Sequence, residues 1–218
     1  TNIKDCVHYI NHMGDDLMVV NAARVSFNKF RKKFQDDDER LLKYLAEHSH
    51  WTPFSHPQIT LKISMPLPMA RQYLKSMVGM TINEVSRRYV KDKPNLFYIG
   101  WHNWRKQSAN KKQGSEGFID TIYIDEWNKR VLRAYDLCLE TYEWGINVAD
   151  VCAEQARFVL PQAMMTEFWQ TGSLYYFARV CKQRTKEDVQ LETQEYARVI
   201  SDIIAPLFPV SWKYLVGE

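Results

Sequence analysis

The sequence predicts an α/β (α+β) fold, a single domain over residues 1–218 with a small sheet and a helix-rich C-terminal half. Apolar and polar residues alternate at 58–65, which is the period of a half-buried strand. From Trp127 onward, apolar residues recur at steps of three and four, which is the period of amphipathic helices. The chain shows no repeat and no linker-like stretch, and its 45% apolar content suits one buried core.

The first half alternates short elements. Carboxylates at 35–39 suit the positive end of a helix dipole, and Pro66, Pro68 and Gly79 end the elements that follow. The polar stretch 106–117, inside an irregular segment at 90–123, predicts a long flexible loop, either a solvated surface or a basic lid over an anionic ligand. The predicted elements are a strand at 7–10, helices at 15–25 and 35–48, a strand at 58–65 and a helix at 69–78.

The second half is predicted to be helical. The apolar stripe from Trp127 to Tyr142 predicts one long helix that Gly145 ends. Shorter helices are predicted at 148–157, 161–170 and 174–182, followed by a longer helix at 186–204.

Charge and cysteine content narrow the class of protein. A net charge of +3 does not predict nucleic-acid binding, and no apolar run reaches the roughly 20 residues that span a membrane. The N-terminus has no basic region followed by an apolar stretch, so we expect a soluble, cytoplasmic protein, in the host-cell cytoplasm if a phage encodes it. Cys6, Cys138, Cys152 and Cys181 lie apart among apolar neighbours, which predicts reduced, buried packing residues.

The densest group of polar residues is NEVSRRY at 83–89. One carboxylate, one hydroxyl and two guanidinium groups suit a phosphate and the edge of a base, because arginine binds phosphate bidentately. Arg71, Arg157 and Arg184 lie in apolar helical contexts, where an arginine is costly unless it meets an anion. That anion is either a ligand or a carboxylate of the chain, such as that of Glu154.

His48, His50 and His56 form a second group. His48 and His50 do not share one helix face, so their spacing predicts no metal site and favours hydrogen bonding to a bound cofactor. The sequence has no GxGxxG, GxxxxGK[ST] or GxSxG motif, which removes the sequence grounds for a Rossmann, P-loop or α/β-hydrolase site.

A series of short segments extends over most of the chain. They are AARVSF at 22–27, HWTPFSH at 50–56, ARQ at 70–72, NEVSRRY at 83–89, ARFVLP at 156–161 and TGSL at 171–174, followed by Arg184. In this order, from about residue 14 to residue 212, the series resembles the flavin-dependent thymidylate synthases. Each segment is short, but a collinear series of this extent is highly specific.

The resemblance implies a homotetramer of α/β subunits with active sites at the subunit interfaces. It implies a methyltransferase-type enzyme that reductively methylates dUMP to dTMP, with methylenetetrahydrofolate as one-carbon donor, NADPH as reductant and hydride transfer via FAD. No enzyme cysteine attacks the pyrimidine in this family, which agrees with the interpretation of the four cysteines as packing residues.

By position, the resemblance also implies the site residues. Arg157 and Arg184 would hold and polarise the uracil as catalytic residues, and Ser86, at the position of a once-proposed nucleophile, is assigned to binding. The implied dUMP-binding residues are Gln72, Glu84, Ser86, Arg87, Arg88, Arg157 and Arg184. The implied FAD-binding residues are Ser26, His50, Thr52, Ser55, Lys75, Ser76, Met77, Val78 and Arg179.

The segment before residue 83 departs from the family's usual Arg-His-Arg signature. This chain has KSMVG at 75–79, which is similar to a divergent phage-type branch with Lys-His-x-Val-Gly, where Ser76 replaces the histidine. The stretch KKQGS at 111–115 matches that branch too, and Asp188 stands where the family often has histidine. We expect FAD to bind, with the basic loop or a neighbouring subunit supplying the missing positive charge.

Two alternatives stay open at this point. Water in place of hydride at the last step would make the chain a flavin-dependent dUMP hydroxymethylase, and the altered signature would suit a catalytically impaired flavin- or nucleotide-binding homologue. A nucleic-acid module needs a basic face interleaved with aromatic residues, which only 101–112 offers, so the predicted partners are small molecules and not nucleic acid or membrane.

Overall fold

The structure is a computed structural model that describes residues 2–109 and 114–217. The helices are α1 (Asp16–Arg24), α2 (Asp36–Glu47), α3 (Leu67–Tyr73), α4 (Thr121–Asn147), α5 (Ala153–Ala156), α6 (Leu174–Arg184), α7 (Leu191–Ile204) and α8 (Pro209–Val216). The strands are β1 (Val7–Met13), β2 (Gln58–Pro66), β3 (Met80–Glu84), β4 (Arg105–Gln107), β5 (Ser115–Phe118) and β6 (Met165–Ser173). The predicted mixed fold with a helix-rich C-terminal half is confirmed.

A four-stranded sheet has the strand order β1-β2-β6-β3. Strands β1 and β2 are antiparallel, with Val7 opposite Ile63. Ile59, Leu61 and Ile63 have no exposed surface, while the polar residues between them are partly exposed. The predicted alternation of this strand is therefore confirmed, and its apolar side chains enter the core because successive side chains point to opposite faces.

Internal contacts divide the chain into two compact units. The first unit contains Ser64–Lys75 and Glu84–Phe168, and the second contains Ile3–Ile63, Ser76–Asn83 and Trp169–Glu218. Each unit buries aromatic side chains of its own, such as the rings of Tyr73 and Phe168 in the first and the indole of Trp212 in the second. One domain over residues 1–218 stays a prediction.

Helix α8 was not expected from the sequence, and its start is held by a distant carboxylate. The buried side chain of Asp16 accepts hydrogen bonds from the backbone N–H groups of Val210 and Ser211, each at 2.9 Å. A carboxylate at a helix N-terminus satisfies donors that have no partner inside the helix. This tie between α1 and α8 lies entirely within the second unit.

The helix predicted at 161–170 is wrong, since this segment turns and then enters strand β6. The buried face of β6 carries the polar residues Thr166 and Gln170, whereas Trp169 on the other face is 52% exposed. Phe168 is the one large apolar side chain buried on this strand, so polar and apolar residues do not alternate in a way that would predict a strand.

Other predicted boundaries also need correction. The helix expected at 69–78 ends at Tyr73, the one expected at 148–157 shrinks to α5, and the one expected at 186–204 begins at Leu191. The predicted long loop at 106–117 contains parts of the antiparallel strands β4 and β5. Residues 110–113, which include part of the predicted KKQGS match, lie outside the described residues.

Within residues 2–109 and 114–217, none of the helices combines the length and the apolar character that crossing a bilayer requires.

Candidate active site

The end of strand β3 brings the NEVSRRY segment alongside β6 within the first unit. The backbone N–H of Val85 donates to the carbonyl of Glu167 at 2.9 Å. The hydroxyl of Thr166 donates to Oε1 of Glu84 at 2.5 Å, so the Glu84 carboxylate is held in place by a neighbouring strand. A positioned, exposed carboxylate of this kind can accept hydrogen bonds from a ligand.

Ser86 organises the turn that follows β3. Its carbonyl accepts hydrogen bonds from the backbone N–H groups of Tyr89 and Val90 at 3.0 and 3.1 Å. Its hydroxyl oxygen accepts from the N–H of Arg88 at 3.4 Å. Among the described residues, no histidine or carboxylate is hydrogen-bonded to this hydroxyl, so the contacts are those of a turn residue and not of an activated nucleophile.

Glu154 on α5 brings two arginines of the implied dUMP set to one place. Its carboxylate lies 3.4 Å from Nε of Arg88, and its backbone carbonyl accepts from Nε of Arg157 at 3.2 Å. The side chains of Arg88 and Glu154 are 56% and 54% exposed, so this ion pair contributes little stability. It nevertheless places two guanidinium groups on one exposed surface.

Arg87 directly precedes Arg88 in the chain, and the name arginine cluster is used here for Arg87, Arg88 and Arg157. One terminal nitrogen of Arg87 donates to the carbonyl of Asp92. Its Nε–H is buried and has no hydrogen-bond partner among the described residues. Because an unpaired buried donor is costly, this atom favours binding of an acceptor such as a phosphate oxygen.

Two further residues of the implied dUMP set lie on other elements. Gln72 lies on α3 in the first unit and is half-buried. Arg184 is the last residue of α6, in the second unit, and only 9% of it is exposed. The expectation of apolar surroundings fits Arg184 but is wrong for Arg71 and Arg157, both of which are exposed.

The segment 76–79 is an exposed turn in the second unit. The guanidinium of Arg179 donates to the carbonyl of Val78 at 2.7 Å, and the hydroxyl of Ser76 donates to the side-chain carbonyl of Gln183 at 3.1 Å. Gly79 has a φ of +94°, in the region that favours glycine, and its carbonyl accepts from the N–H of Ser173 at 3.0 Å. Helix α6 and the residue before it therefore fix this turn, which explains why α3 does not continue to residue 78.

This turn leaves apolar side chains exposed next to cations. Met77 and Val78 are 58% and 81% exposed. A cleft of about 320 Å³ in the same unit is lined partly by Tyr175 and Ala178 and partly by three cationic side chains, Arg179, Lys182 and Lys186. An aromatic and apolar wall beside several positive charges fits a flavin ring and its diphosphate. Lys75 belongs to the first unit and does not line this cleft.

The other implied flavin residues lie at two places in the second unit. Ser26 is exposed in a short 3₁₀ helix after α1. His50 follows α2, and its ring stacks at 6.0 Å on that of Tyr44. Ser55 donates to the carbonyl of Trp51 at 3.4 Å, and Thr52 begins that same turn.

Neither a reactive thiol nor a metal site was expected from the sequence, and the structure bears on both. Burial raises the pKa of the Cys181 thiol well above its ordinary value and also raises the pKa of Cys6, so both thiols stay protonated and unreactive at neutral pH. Cys138 is half-buried and Cys152, just before α5, is exposed, so the prediction that all four cysteines are buried holds only for Cys6 and Cys181. No cluster of three or more side chains suited to a metal ion occurs among the described residues.

The fold and these side chains define a class of protein only broadly: an α/β protein whose clustered guanidinium groups suit a small anion. Comparison with known proteins narrows the class. Residues 8–210 match the model of the family described as "Thymidylate synthase complementing protein". A flavin-dependent thymidylate synthase of Thermus thermophilus is 32% identical over 214 residues, which cover 96% of this chain and 74% of that protein.

A second relative and a solved structure agree with this match. The flavin-dependent thymidylate synthase of Thermosipho africanus is 33% identical over 94% of this chain and 88% of its own length. The crystal structure of the UMP/dUMP methylase PolB from Streptomyces cacaoi, bound with 5-bromo-dUMP, has a TM-score of 0.85 at 22% identity over 97% of this chain and 94% of that one. The chain therefore belongs to the flavin-dependent thymidylate synthase family, as its motifs predict.

Proposed function

We propose that this chain is an enzyme that converts dUMP to dTMP, with methylenetetrahydrofolate giving the one-carbon unit and NADPH giving the hydride through FAD. Over the whole reaction, dUMP, methylenetetrahydrofolate, NADPH and a proton become dTMP, tetrahydrofolate and NADP⁺. Family membership supports the flavin dependence, and the arginine cluster is the observation that supports binding of a nucleotide. The structural neighbour is a UMP/dUMP methylase bound with 5-bromo-dUMP, which supports the same nucleotide.

The chain's own residues would bind and polarise the nucleotide. Arg87, with its buried and unpaired Nε–H, and Arg88 suit the phosphate, and Arg157 suits the uracil carbonyls, where negative charge develops during the reaction. Arg184 is proposed for the same role from its position in the family's motifs. Gln72, Glu84 and Ser86 would complete the nucleotide contacts, with Ser86 as a binding residue because its hydroxyl takes part in a turn.

The flavin would be held by the turn at 76–79, by the cleft beside α6, and by Ser26, His50, Thr52 and Ser55. When bound, it supplies the redox chemistry that moves the hydride. Arg179 positions the backbone of Val78 and leaves the exposed edge of this turn available to a ring. We also propose a homotetramer with active sites at the subunit interfaces, small-molecule partners only, and a cytoplasmic location, in the host cell if a phage encodes the chain.

The test follows the visible spectrum of the purified protein under anaerobic conditions with NADPH, dUMP and methylenetetrahydrofolate, and identifies the nucleotide product by mass. We expect a yellow protein that bleaches with NADPH, reoxidises with the folate and yields dTMP. A product heavier by one oxygen would identify a hydroxymethylase. A colourless protein without turnover would contradict the proposal and indicate a homologue that has lost its flavin.

A further inference from the structure

The loop between α1 and α2 forms a basic concavity that none of the roles above uses. The concavity has a volume of about 690 Å³, which is within the range of small-molecule sites. It is lined by Arg24, Lys29, Phe30, Arg31, Lys32, Lys33 and Gln35. All of these residues belong to the second unit, so the site is complete within one compact part of the chain.

The loop is fixed by a polar framework around the buried side chain of Asp38. The side-chain amide of Asn21 donates to the carbonyl of Arg31 at 2.9 Å and accepts from its N–H at 2.7 Å. Asp38, which has no exposed surface, lies 2.7 Å from Arg24 and 3.3 Å from Nε of Arg31. Asp37 lies 2.5 Å from Arg31. The loop is therefore held in one conformation before any ligand arrives.

This framework separates the charges into two kinds. Arg24 and Arg31 are neutralised by Asp37 and Asp38. Lys29, Lys32 and Lys33 are exposed and have no ion-pair or hydrogen-bond partner among the described residues. The concavity thus offers three uncompensated ammonium groups within five consecutive residues.

The ligand chemistry follows from these groups. Lysine ammonium groups act as compact point charges that suit phosphate, whereas the charges of the two guanidinium groups are already balanced by aspartates. Phe30, which also lines the concavity, is 77% exposed and presents an open ring face on which a base can stack. Clustered positive charge next to an exposed aromatic ring suits a phosphorylated nucleoside. Of the nucleotides in the reaction proposed above, dUMP is assigned to the arginine cluster and FAD to the cleft beside α6, so NADPH, with its phosphorylated adenosine, is the one without a site.

We propose that this concavity binds a phosphorylated adenosine group and that, in the reaction proposed above, this group is the adenosine of NADPH with its 2′-phosphate. The identity of the reductant rests on the proposed function, whereas the binding chemistry rests on the loop itself. Ser26 lies in the chain between the lining residues Arg24 and Lys29, so a ligand here binds beside a residue that the family resemblance assigns to the flavin.

The test measures binding of 2′,5′-ADP to the flavin-loaded full chain by calorimetry, with Lys29→Gln, Lys32→Gln, Lys33→Gln and the triple variant. Lys129→Gln, an exposed lysine on α4 in the other unit, is the matched control. We expect each single variant to weaken binding by about fivefold and the triple variant by about a hundredfold, with a steep loss at high salt. The control should bind as the unchanged protein does.

A kinetic arm separates the sources of the adenosine. If NADPH is the occupant, the triple variant raises the KM for NADPH toward that for NADH and leaves the NADH value and kcat unchanged. If the variants lose flavin instead, the adenosine diphosphate of FAD is the occupant and the phosphate site still stands. The proposal would be overturned if the lysine variants bound 2′,5′-ADP and flavin as the unchanged protein does. It would also be overturned if the variants weakened only the binding of a folate polyglutamate. If the protein makes no dTMP but the variants lose affinity for 2′,5′-ADP as predicted, the proposed reaction is contradicted and the proposed adenosine site is not.

Discussion

At the scale of single residues, Arg157 combines a fixed Nε–H with an exposed guanidinium end. The carbonyl of Glu154 holds Nε, and the two terminal nitrogens have no partner among the described residues. We predict that Arg157→Ala lowers kcat/KM by about a hundredfold, because one positioned donor to a developing negative charge is worth about 3 kcal/mol. Steady-state kinetics would measure this, with Arg40→Ala, an exposed arginine on α2, as control. Unchanged turnover would exclude Arg157 from catalysis.

Ser86 tests the difference between a binding hydroxyl and a nucleophile. Its oxygen accepts from the N–H of Arg88, and the turn around it depends on its backbone. We predict that Ser86→Ala retains turnover, with a loss of no more than about tenfold, because only one neutral hydrogen bond disappears. Product formation over time gives the measurement. A complete loss, together with a covalent dUMP adduct on the unchanged enzyme by mass spectrometry, would restore the nucleophile.

At the scale of elements, Gly172 shows how closely β6 and α6 pack. A Cβ at this position would lie 2.6 Å from the Tyr176 ring and 3.1 Å from that of Phe177. We predict that Gly172→Ala destabilises the protein by about 1–3 kcal/mol, because buried rings must shift to make room. Urea unfolding would measure the change. Gly145→Ala on α4, where a Cβ would meet Val151 atoms at the ordinary contact distances of 3.8 and 3.9 Å, gives a control without crowding. Equal losses would contradict the packing argument.

The contact between α2 and α8 depends on pH through one carboxylate. The Tyr214 hydroxyl donates to Oε1 of Glu39 at 2.7 Å, and Lys213 lies 3.4 Å from the same oxygen. These two contacts lower the pKa of Glu39 below its ordinary value, the Tyr214 hydrogen bond being the larger cause. A lowered folded-state pKa means stability that is present above the ordinary carboxyl pKa and is lost as pH falls through the folded value.

We therefore predict that Tyr214→Phe lowers the Tm at neutral pH and that the difference from the unchanged protein shrinks below about pH 4. Thermal unfolding at several pH values would measure both effects. Tyr123→Phe, at an exposed tyrosine in the first unit, should show no such pH dependence. A difference in Tm that stays constant down to about pH 3 would exclude the Glu39 contact as its cause.

At the scale of the whole molecule, one face of α4 supports the proposed homotetramer. Tyr123, Leu137 and Trp144, separated by multiples of seven residues, lie on one face of the helix and are 61%, 62% and 61% exposed. We predict that Leu137→Glu shifts the protein to smaller species, because a charge on a desolvated interface is costly. Light scattering after size exclusion would report the mass. Leu191→Glu, at an exposed leucine that begins α7, is the matched control, and equal behaviour of both variants would exclude α4 as the interface.

Local chemistry made several elements predictable. Strand β2 follows from the alternation of Ile59, Leu61 and Ile63, and α2 follows from its four acidic residues in the first turn. Strand β6 could not be recognised, because two of its buried residues, Thr166 and Gln170, are polar and find their partners only in the fold, as Gln170 does by donating to the Tyr176 hydroxyl at 2.8 Å. Helix α8 was missed because its N-terminal donors are satisfied by Asp16, a residue 194 positions away from Val210.

The sequence by itself determined the family, because a collinear series of motifs survives in residue types and spacing alone. The same motifs also gave the candidate residues for binding the nucleotide and the flavin. Only the tertiary structure decided that Glu154 joins Arg88 to Arg157, that Arg87 keeps a buried unpaired Nε–H, and that Asp37 and Asp38 neutralise two arginines of the basic loop while three lysines stay uncompensated. The physical reason is that charge pairing and burial depend on distance in space, which the order of residues along a chain does not specify.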